Sequence, residues 1–158
     1  MADDVRWLSA QERAAWLGIT GLLMKLPTQL DTQLEADEKL NFFEYMVLAL
    51  LSETPDHTRQ MSDLASITSA SLSRLSHAAK RLEDQGFLVR QRLPGPGRRT
   101  SASLTELGHA KVVAAAPGHL RRVRELIIDI ATAEELAAMQ SVGEKVLRAI
   151  DGDPECLS

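Results

Sequence analysis

Apolar positions recur every three to four residues over most of this chain, which is the period of an amphipathic α-helix. A predicted first helix carries five of them on one face: Trp16, Ile19, Leu22, Leu23 and Leu26. The letters SAQE at residues 9–12 form a capping box, in which a serine and a glutamate satisfy free backbone amides, so the helix begins there. Pro27 is expected to kink or interrupt it.

The middle of the chain predicts short helices in close succession. A second capping box, NFFE at residues 41–44, opens an apolar helix, and RQM at residues 59–61 could be a short strand. Ser62 is expected to cap a brief helix, TSAS forms a turn, and Ser71 caps a helix from Leu72 to Gln85 that Gly86 closes. Two helices joined by so short a turn predict a helix-turn-helix.

Two strands and further helices follow. FLVRQR and SASL predict strands joined by the hairpin loop LPGPGRRT. Thr105 caps the next helix, which Pro117 and Gly118 are expected to disturb, and the capping box TAEE at residues 132–135 opens a final helix. The predicted fold is mainly α with a small β-hairpin, a winged helix-turn-helix. We expect residues 1–40 to form an N-terminal helical region, 41–105 the winged domain, and 106–158 C-terminal helices and a tail.

Composition indicates the compartment. The single cysteine, Cys156, excludes a disulfide framework within the chain and fits a reducing environment. The acidic start MADDVRW is unlike a signal peptide, and no apolar run approaches the roughly 20 residues that span a membrane. We therefore expect a cytoplasmic protein, and nothing in the sequence calls for a cofactor.

Charge is unevenly distributed, although a net charge of −4 at first argues against a nucleic-acid partner. Residues 61–105 carry 7 Lys and Arg against 3 Asp and Glu, whereas the segments on either side are acidic. The local field, rather than the net charge, steers a polyanion. The basic middle is therefore compatible with DNA binding, although a solvated helix face would also carry such charges.

The helix predicted from Leu72 has one apolar and one polar face. At about 100° per residue, its apolar side chains fall within about 120° of each other: Leu72, Leu75, Ala78, Ala79 and Leu82. The opposite face and its flanks carry Ser73, Arg74, Ser76, His77, Lys80 and Arg81. Small hydroxyls allow close approach to base edges in a major groove about 12 Å wide, and Arg and His donate to guanine or phosphate. A solvated face would more often alternate Glu with Lys, so this helix is predicted to contact DNA.

The hairpin loop LPGPGRRT is stiffened by Pro94 and Pro96 and ends in Arg98 and Arg99. Preorganised arginines suit the narrow minor groove, where the negative potential is enhanced. A nucleotide-binding phosphate loop is less compatible, because GxxxxGK[ST] is absent and a strand follows where a helix should begin. We therefore interpret the loop as a DNA-contacting wing.

With these motifs, the chain resembles the multiple-antibiotic-resistance regulator (MarR) family of bacterial transcription factors. The resemblance covers EYMVLALLSETP, MSDLASITSASLSRLSHAAKRLEDQGFLVR, the arginine pair and LTELG. It implies that five side chains face the major groove: Ser71, Ser73, Arg74, Ser76 and His77. It places Lys80 and Arg81 near phosphates and Arg98 in the minor groove. The family's wing usually has Asp-x-Arg, and Pro96 occupies the aspartate position here. Either proline rigidity and Arg99 take over that role, or the wing contacts are weaker.

The resemblance also implies a homodimeric repressor that releases its operator when a small aromatic acid or phenol binds. The first, second and fifth helices would line that pocket, with five candidate residues: Trp16, Phe42, Phe43, Tyr45 and His109. Aromatic residues at helical spacing are, however, more often part of a core. A dimer has an independent physical reason, because the final helix carries apolar residues that need a partner: Leu136, Met139, Val142, Val146 and Leu147. A twofold dimer places two recognition helices about 34 Å apart on a pseudo-palindrome.

Other functions find less support in the sequence. The histidines are scattered without an enzyme motif. A metal-responsive regulator would need a compact ligand set, which Glu106, His109 and His119 do not obviously provide. A peroxide sensor at Cys156 would lie among acidic residues, which disfavour a thiolate. A winged domain that binds protein rather than DNA stays open, and it would expose apolar residues on the recognition face.

Overall fold

The computed structural model describes residues 5–95 and 99–152, in which helices dominate and three strands form one small sheet. The elements in chain order are α1 (Ala10–Glu38), α2 (Phe42–Ser52), β1 (Thr58–Gln60), α3 (Met61–Ile67), α4 (Leu72–Asp84), β2 (Leu88–Arg92), β3 (Thr100–Leu104), α5 (Glu106–Val123) and α6 (Ala133–Asp151), with a π-helical segment (Arg124–Ile128) directly after α5. The prediction of a mainly α winged helix-turn-helix is confirmed.

The chain divides into two compact units, Met1–His119 and Leu120–Ser158. The first contains α1 to β3 and the part of α5 that ends at His119. The second contains the rest of α5, the π-helical segment and α6. Among the described residues, no helix combines the length and apolar character that crossing a membrane requires.

An apolar core joins α2, α3, α4 and the sheet. Its fully buried members include Leu40, Val47, Leu48, Leu51, Leu64, Leu75, Leu82 and Leu88. Burying one such side chain contributes roughly 1.5–3 kcal/mol. A smaller cluster of Leu34, Tyr45 and Ala115 joins α1, α2 and α5. The inner face of α4 is therefore held rigidly against the rest of the winged domain (α2 to β3).

The three predicted capping boxes are confirmed. The side chains of Ser9, Asn41 and Thr132 each accept from the backbone amide of the glutamate three residues later. The side chain of that glutamate in turn accepts from the backbone amide of the cap residue. Capping of this kind is worth about 1 kcal/mol for each helix. These local signals fix where α1, α2 and α6 begin.

One sequence prediction about a helix boundary was wrong, and the interruption considered at Pro27 does not occur. Pro27 and Pro117 lie inside continuous helices, in which buried residues such as Leu30 and His119 follow them. A kink at either proline stays a prediction. The third helix begins at Met61 rather than after Ser62, and no side chain caps it. Burial of Met61 in the core outweighs the missing cap.

The sheet has the strand order β1-β3-β2 and is antiparallel throughout. The Thr58 and Ser103 hydroxyls lie 2.8 Å apart across β1 and β3, which confirms the short first strand. The sheet's end is packed closely against α5. A Cβ atom on Gly108 would overlap the carbonyl oxygen of Phe87 and lie 2.8 Å from Leu104 Cδ1. This glycine lets α5 approach the strand β2.

Each unit leaves an apolar helix face exposed. In α1 the exposed side chains include Trp16, Ile19, Leu22 and Leu23, which the sequence predicted to share a face. In α6 they are Met139, Val142, Val146, Leu147 and Ile150. Contiguous exposed apolar surface of this kind marks an interaction site.

Candidate nucleic-acid interface

The candidate recognition helix α4 begins at a side-chain cap and ends at a left-handed glycine. The Ser71 hydroxyl accepts from the Arg74 backbone amide at 3.1 Å, as predicted. Gly86 follows the helix with φ 78°, a conformation that favours glycine. Four side chains face the core: Leu75, Ala78, Ala79 and Leu82. The remaining surface of the helix is therefore presented in a fixed orientation.

At about 100° per residue, that remaining surface divides into three strips. The outward strip, opposite the core, carries Ser73, Lys80 and Asp84; the cavity strip carries Arg74, His77 and Arg81; the wing strip carries Leu72, Ser76 and Glu83. In the outward strip, Lys80 Nζ lies 3.0 Å from Asp84 Oδ2, and both side chains remain largely exposed. The outward strip thus offers a hydroxyl in the first turn and, two turns later, a cation paired with a carboxylate.

The cavity strip forms one wall of a half-open cavity of about 820 Å³. The cavity is lined by Pro27, Asp31, Asn41, Phe42, Phe43, Met46, Leu50, Ile67, Thr68, Arg74, His77, Ala78 and Arg81. The Arg74 guanidinium stacks 4.4 Å above the centre of the Phe43 ring. Arg81 Nη2 lies 2.8 Å from Oε1 of the fully buried Glu44. Two arginines that sequence analysis assigned to DNA thus also have partners on α2, the Phe43 ring for Arg74 and the Glu44 carboxylate for Arg81.

The five candidate ligand-pocket residues do not lie together in the structure. Phe42 and Phe43 line the cavity. Trp16 is exposed on α1, Tyr45 is buried against His119, and His109 packs against His57 with ring centres 5.4 Å apart. Residues of α1, α2, α3 and α4 line this cavity and none of α5 does, so the predicted ligand pocket that includes α5 stays a prediction.

On the wing strip, Glu83 links α4 to β2. Its carboxylate accepts from the Arg90 backbone amide at 2.8 Å and from Nε and Nη2 at 3.0 and 2.8 Å. These hydrogen bonds hold the pKa of Glu83 below its usual value. Arg90 Nη1 also reaches Ser76 Oγ at 3.4 Å. Three hydrogen bonds between Arg90 and Glu83 therefore hold the wing against α4. Sequence analysis missed this pair.

Leu72 differs from its prediction. It was placed with the buried residues of α4, but 59% of it is exposed. It lies at the edge of the apolar wedge, where the core ends, and lines a cleft of about 270 Å³ between α4 and the wing. The same cleft contacts Ser76, Arg90 and Arg99.

In the wing loop, Pro96 and Arg98 lie outside the described residues. Arg99 is described, and its Nη2 donates to the carbonyl oxygen of Pro94 at 3.0 Å. Gly95, with φ 108°, allows this contact, because a Cβ there would lie 2.8 Å from Arg99 Nη2. A backbone carbonyl thus holds one wing arginine in a loop that lacks the family's usual aspartate.

The histidines considered for a metal site do not come together. His119 is buried with its ring centre 5.8 Å from that of Phe42 and 4.6 Å from that of Tyr45. Burial lowers its pKa. Within the described part of the chain, no group of three or more His, Cys, Asp and Glu side chains could hold a metal ion. Cys156 lies outside the described residues.

Two residues of this surface escaped sequence analysis. Arg90 was assigned only to a strand, and no local pattern shows its pairing with Glu83, which requires β2 to fold back along α4. Leu72 satisfied the helical period and was therefore counted as core. Its exposure depends on how the wing and the start of α3 pack beside α4, where they form the cleft that its side chain lines.

Residues 39–99 match the model of the MarR family. Sco3205 from Streptomyces coelicolor, a MarR family transcriptional regulator solved in complex with DNA, is 33% identical over 93% of this chain and 92% of its own, with a TM-score of 0.87. AbsC, a MarR family transcriptional regulator from the same organism, is 32% identical over 94% and 100%, with a TM-score of 0.86. NadR, solved in complex with 4-hydroxyphenylacetate, shares the fold at 20% identity over 94% and 99%, with a TM-score of 0.68. No curated protein matches the chain.

Proposed function

Because the chain belongs to the MarR family of transcriptional regulators, we propose that it is a homodimeric repressor that binds a pseudo-palindromic operator and releases it when a small aromatic or phenolic ligand binds. The observation that carries the DNA-binding part is the exposed surface of α4, where serines and cations surround a rigidly buried inner face. The crystal structure of the similar Sco3205 in complex with DNA supports this part.

In this proposal, α4 lies in the major groove and the wing lies beside it. Base edges are contacted by Ser71, Ser73, Arg74, Ser76 and His77; phosphates by Lys80 and Arg81; and the minor groove by Arg98 and Arg99. Hydroxyl and guanidinium groups in the first turns of a recognition helix are suited to base edges. Arg99 starts from a preorganised position, because the Pro94 carbonyl holds its guanidinium at the base of the wing.

The dimer is proposed from the apolar faces of α1 and α6. Five large apolar side chains of α6 are exposed, a pattern that is costly in a monomer and typical of a helix that packs against a partner chain. A twofold dimer would present two α4 helices to successive major grooves. The dimer therefore accounts both for the exposed faces and for an operator with two half-sites.

The effector site is proposed in the cavity beside α4, whose size lies within the range of small-molecule pockets. Phe42, Phe43 and Met46 offer an apolar surface to a ring, while Arg74 and Arg81 offer cations to an acid. A carboxylate there would draw Arg74 and Arg81 toward the cavity. Since both arginines are also proposed DNA contacts, occupancy of the cavity would weaken operator binding.

The DNA-binding part is tested by selecting duplexes from a random pool and titrating the selected site over salt. The logarithm of the association constant should fall with the logarithm of salt concentration, with a slope of about −0.9 for each phosphate neutralised. Ser73→Asp, which places a negative charge on the outward strip, should abolish binding. Ser141→Asp, an exposed serine on α6, should retain it. Failure of the wild type to select any sequence would favour the protein-binding alternative.

The effector part is tested by calorimetric titration with benzoate, salicylate and 4-hydroxyphenylacetate. At least one should bind the wild type and lower its operator affinity, and Phe43→Ala should lose both effects. Trp7→Ala is the matched control, because Trp7 is an exposed aromatic residue before the start of α1 and does not line the cavity. Repression itself is tested by placing the selected site over a promoter in a transcription assay, where added protein should reduce the transcript.

A further inference from the structure

An aliphatic side chain stands exposed among polar ones at the start of the proposed recognition helix. Leu72 is the first residue of α4 and is 59% exposed, whereas the next leucine, Leu75, is fully buried. Ser71, Ser73 and Ser76 surround Leu72 on the helix surface, and all three are exposed. One apolar group within a hydroxyl-bearing surface is too small an area for a stable protein interface, which needs a contiguous apolar patch.

The wing fixes the surroundings of Leu72. The cleft that it lines is also contacted by Arg90 and Arg99 from the wing. Arg90 is held by three hydrogen bonds to Glu83, and Arg99 is held by the Pro94 carbonyl. Leu72 therefore shares its cleft with two positioned cations. The cations suit the phosphates of DNA, and the leucine suits an apolar group of a base.

DNA presents one such apolar group in the major groove, the C5 methyl of thymine. The first turn of a recognition helix is the part that approaches base edges. We propose that Leu72 contacts a thymine methyl in each operator half-site and makes the operator selective for thymine at that position. This inference rests on the proposed DNA-binding function and adds the base that the wing side of α4 selects.

The contact is tested by removing the methyl group alone. In the selected operator, each thymine is replaced in turn by deoxyuridine, which retains every hydrogen-bonding group and lacks only the C5 methyl. For one position in each half-site, the wild type should bind the substituted half-site about fourfold more weakly, the factor that corresponds to losing burial of one methyl-sized group. Leu72→Ala should bind the thymine operator more weakly and show no further loss with deoxyuridine.

Ser73→Ala is the matched control, since it alters the neighbouring side chain and should preserve the full loss on deoxyuridine substitution. Thermal unfolding of Leu72→Ala should stay close to that of the wild type, because Leu72 is 59% exposed and lies outside the core. A wild type that is indifferent to deoxyuridine at every position would overturn the proposal, as would an equal deoxyuridine effect in Leu72→Ala. A wild type that binds no duplex would instead overturn the proposed function, and the Leu72 contact with it.

Discussion

Arg81 on the recognition helix neutralises Glu44, a carboxylate with no solvent exposure in the first turn of α2, across a distance of 2.8 Å. The second carboxylate oxygen of Glu44 accepts from the Asn41 backbone amide at 3.1 Å. Removing Arg81 would leave a buried charge with only its capping bond. We expect Arg81→Met to lower the free energy of unfolding by about 1–2 kcal/mol, less than for a pair in which both partners are buried.

A double-mutant cycle in urea checks this coupling. Glu44→Gln combined with Arg81→Met should cost clearly less than the two single changes added together. Lys80→Met is the control on the same helix. It breaks only the exposed pair with Asp84 and should change stability by less than about 0.5 kcal/mol. Strict additivity of the Glu44 and Arg81 changes would show that the pair carries no coupling.

The stability of the protein should depend on pH through His119. Burial lowers its pKa below the usual 6.5, and its Nδ1 has no hydrogen-bond partner among the described residues. The unfolded chain therefore binds a proton first as the pH falls. The contribution of neutral His119 is present above about pH 6.5 and is lost as the pH falls toward the lower pKa of the folded state.

Urea unfolding of the wild type and His119→Gln between pH 7.5 and 5.0 measures this effect. The advantage of the wild type over the variant should shrink as the pH falls, since glutamine does not titrate. A stability difference that stays constant over this range would contradict the assignment.

Gly108 is expected to tolerate no side chain. A Cβ atom there would overlap the Phe87 carbonyl oxygen, a backbone atom that cannot move without shifting the start of β2. We expect Gly108→Ala to lower the free energy of unfolding by about 3 kcal/mol, at the upper end of overpacking effects. In Gly21→Ala the new methyl meets nothing within 4 Å, so thermal unfolding should show unchanged or higher stability.

A charge in the apolar face of α6 should dissociate the proposed dimer. Val146 is exposed and lies on the same face as Met139 and Ile150. Val146→Glu should therefore reduce the mass in light scattering from about twice the chain mass of 17.3 kDa to the chain mass itself, and weaken operator binding. Ser141→Glu, on the opposite face, should remain dimeric. A wild type that is monomeric at micromolar concentration would contradict the dimer.

Local signals made much of the fold predictable. The capping boxes at Ser9, Asn41 and Thr132 depend on residues three apart, and the strands beside the wing loop follow from their composition. The interruption considered at Pro27 does not occur, because packing contributed by distant elements outweighs the local preference of proline. Tertiary packing decides such conflicts.

The candidate site was predictable only in part. The polar face of α4 follows from its helical period, and Phe42 and Phe43, two of the predicted ligand-pocket residues, line a cavity. That α4 forms one wall of this cavity could not be predicted, because the wall depends on how α4 packs against α2. The hydrogen bonds between Glu83 and Arg90 and the exposure of Leu72 could not be predicted either, because both depend on how the wing packs against α4.

The division of α4 into strips limits how such a regulator can diverge after gene duplication. Ser73 and Leu72 lie away from the cavity, so under the proposed function substitutions there would alter the preferred operator without changing the inducer. Arg74, His77 and Arg81 lie on the cavity wall, so under the same proposal a substitution at any of them would change both. After a duplication, two copies of the gene would acquire different operators through substitutions at Leu72 and Ser73 alone. A change of inducer would require substitutions on the cavity wall and compensating changes in the residues that contact DNA.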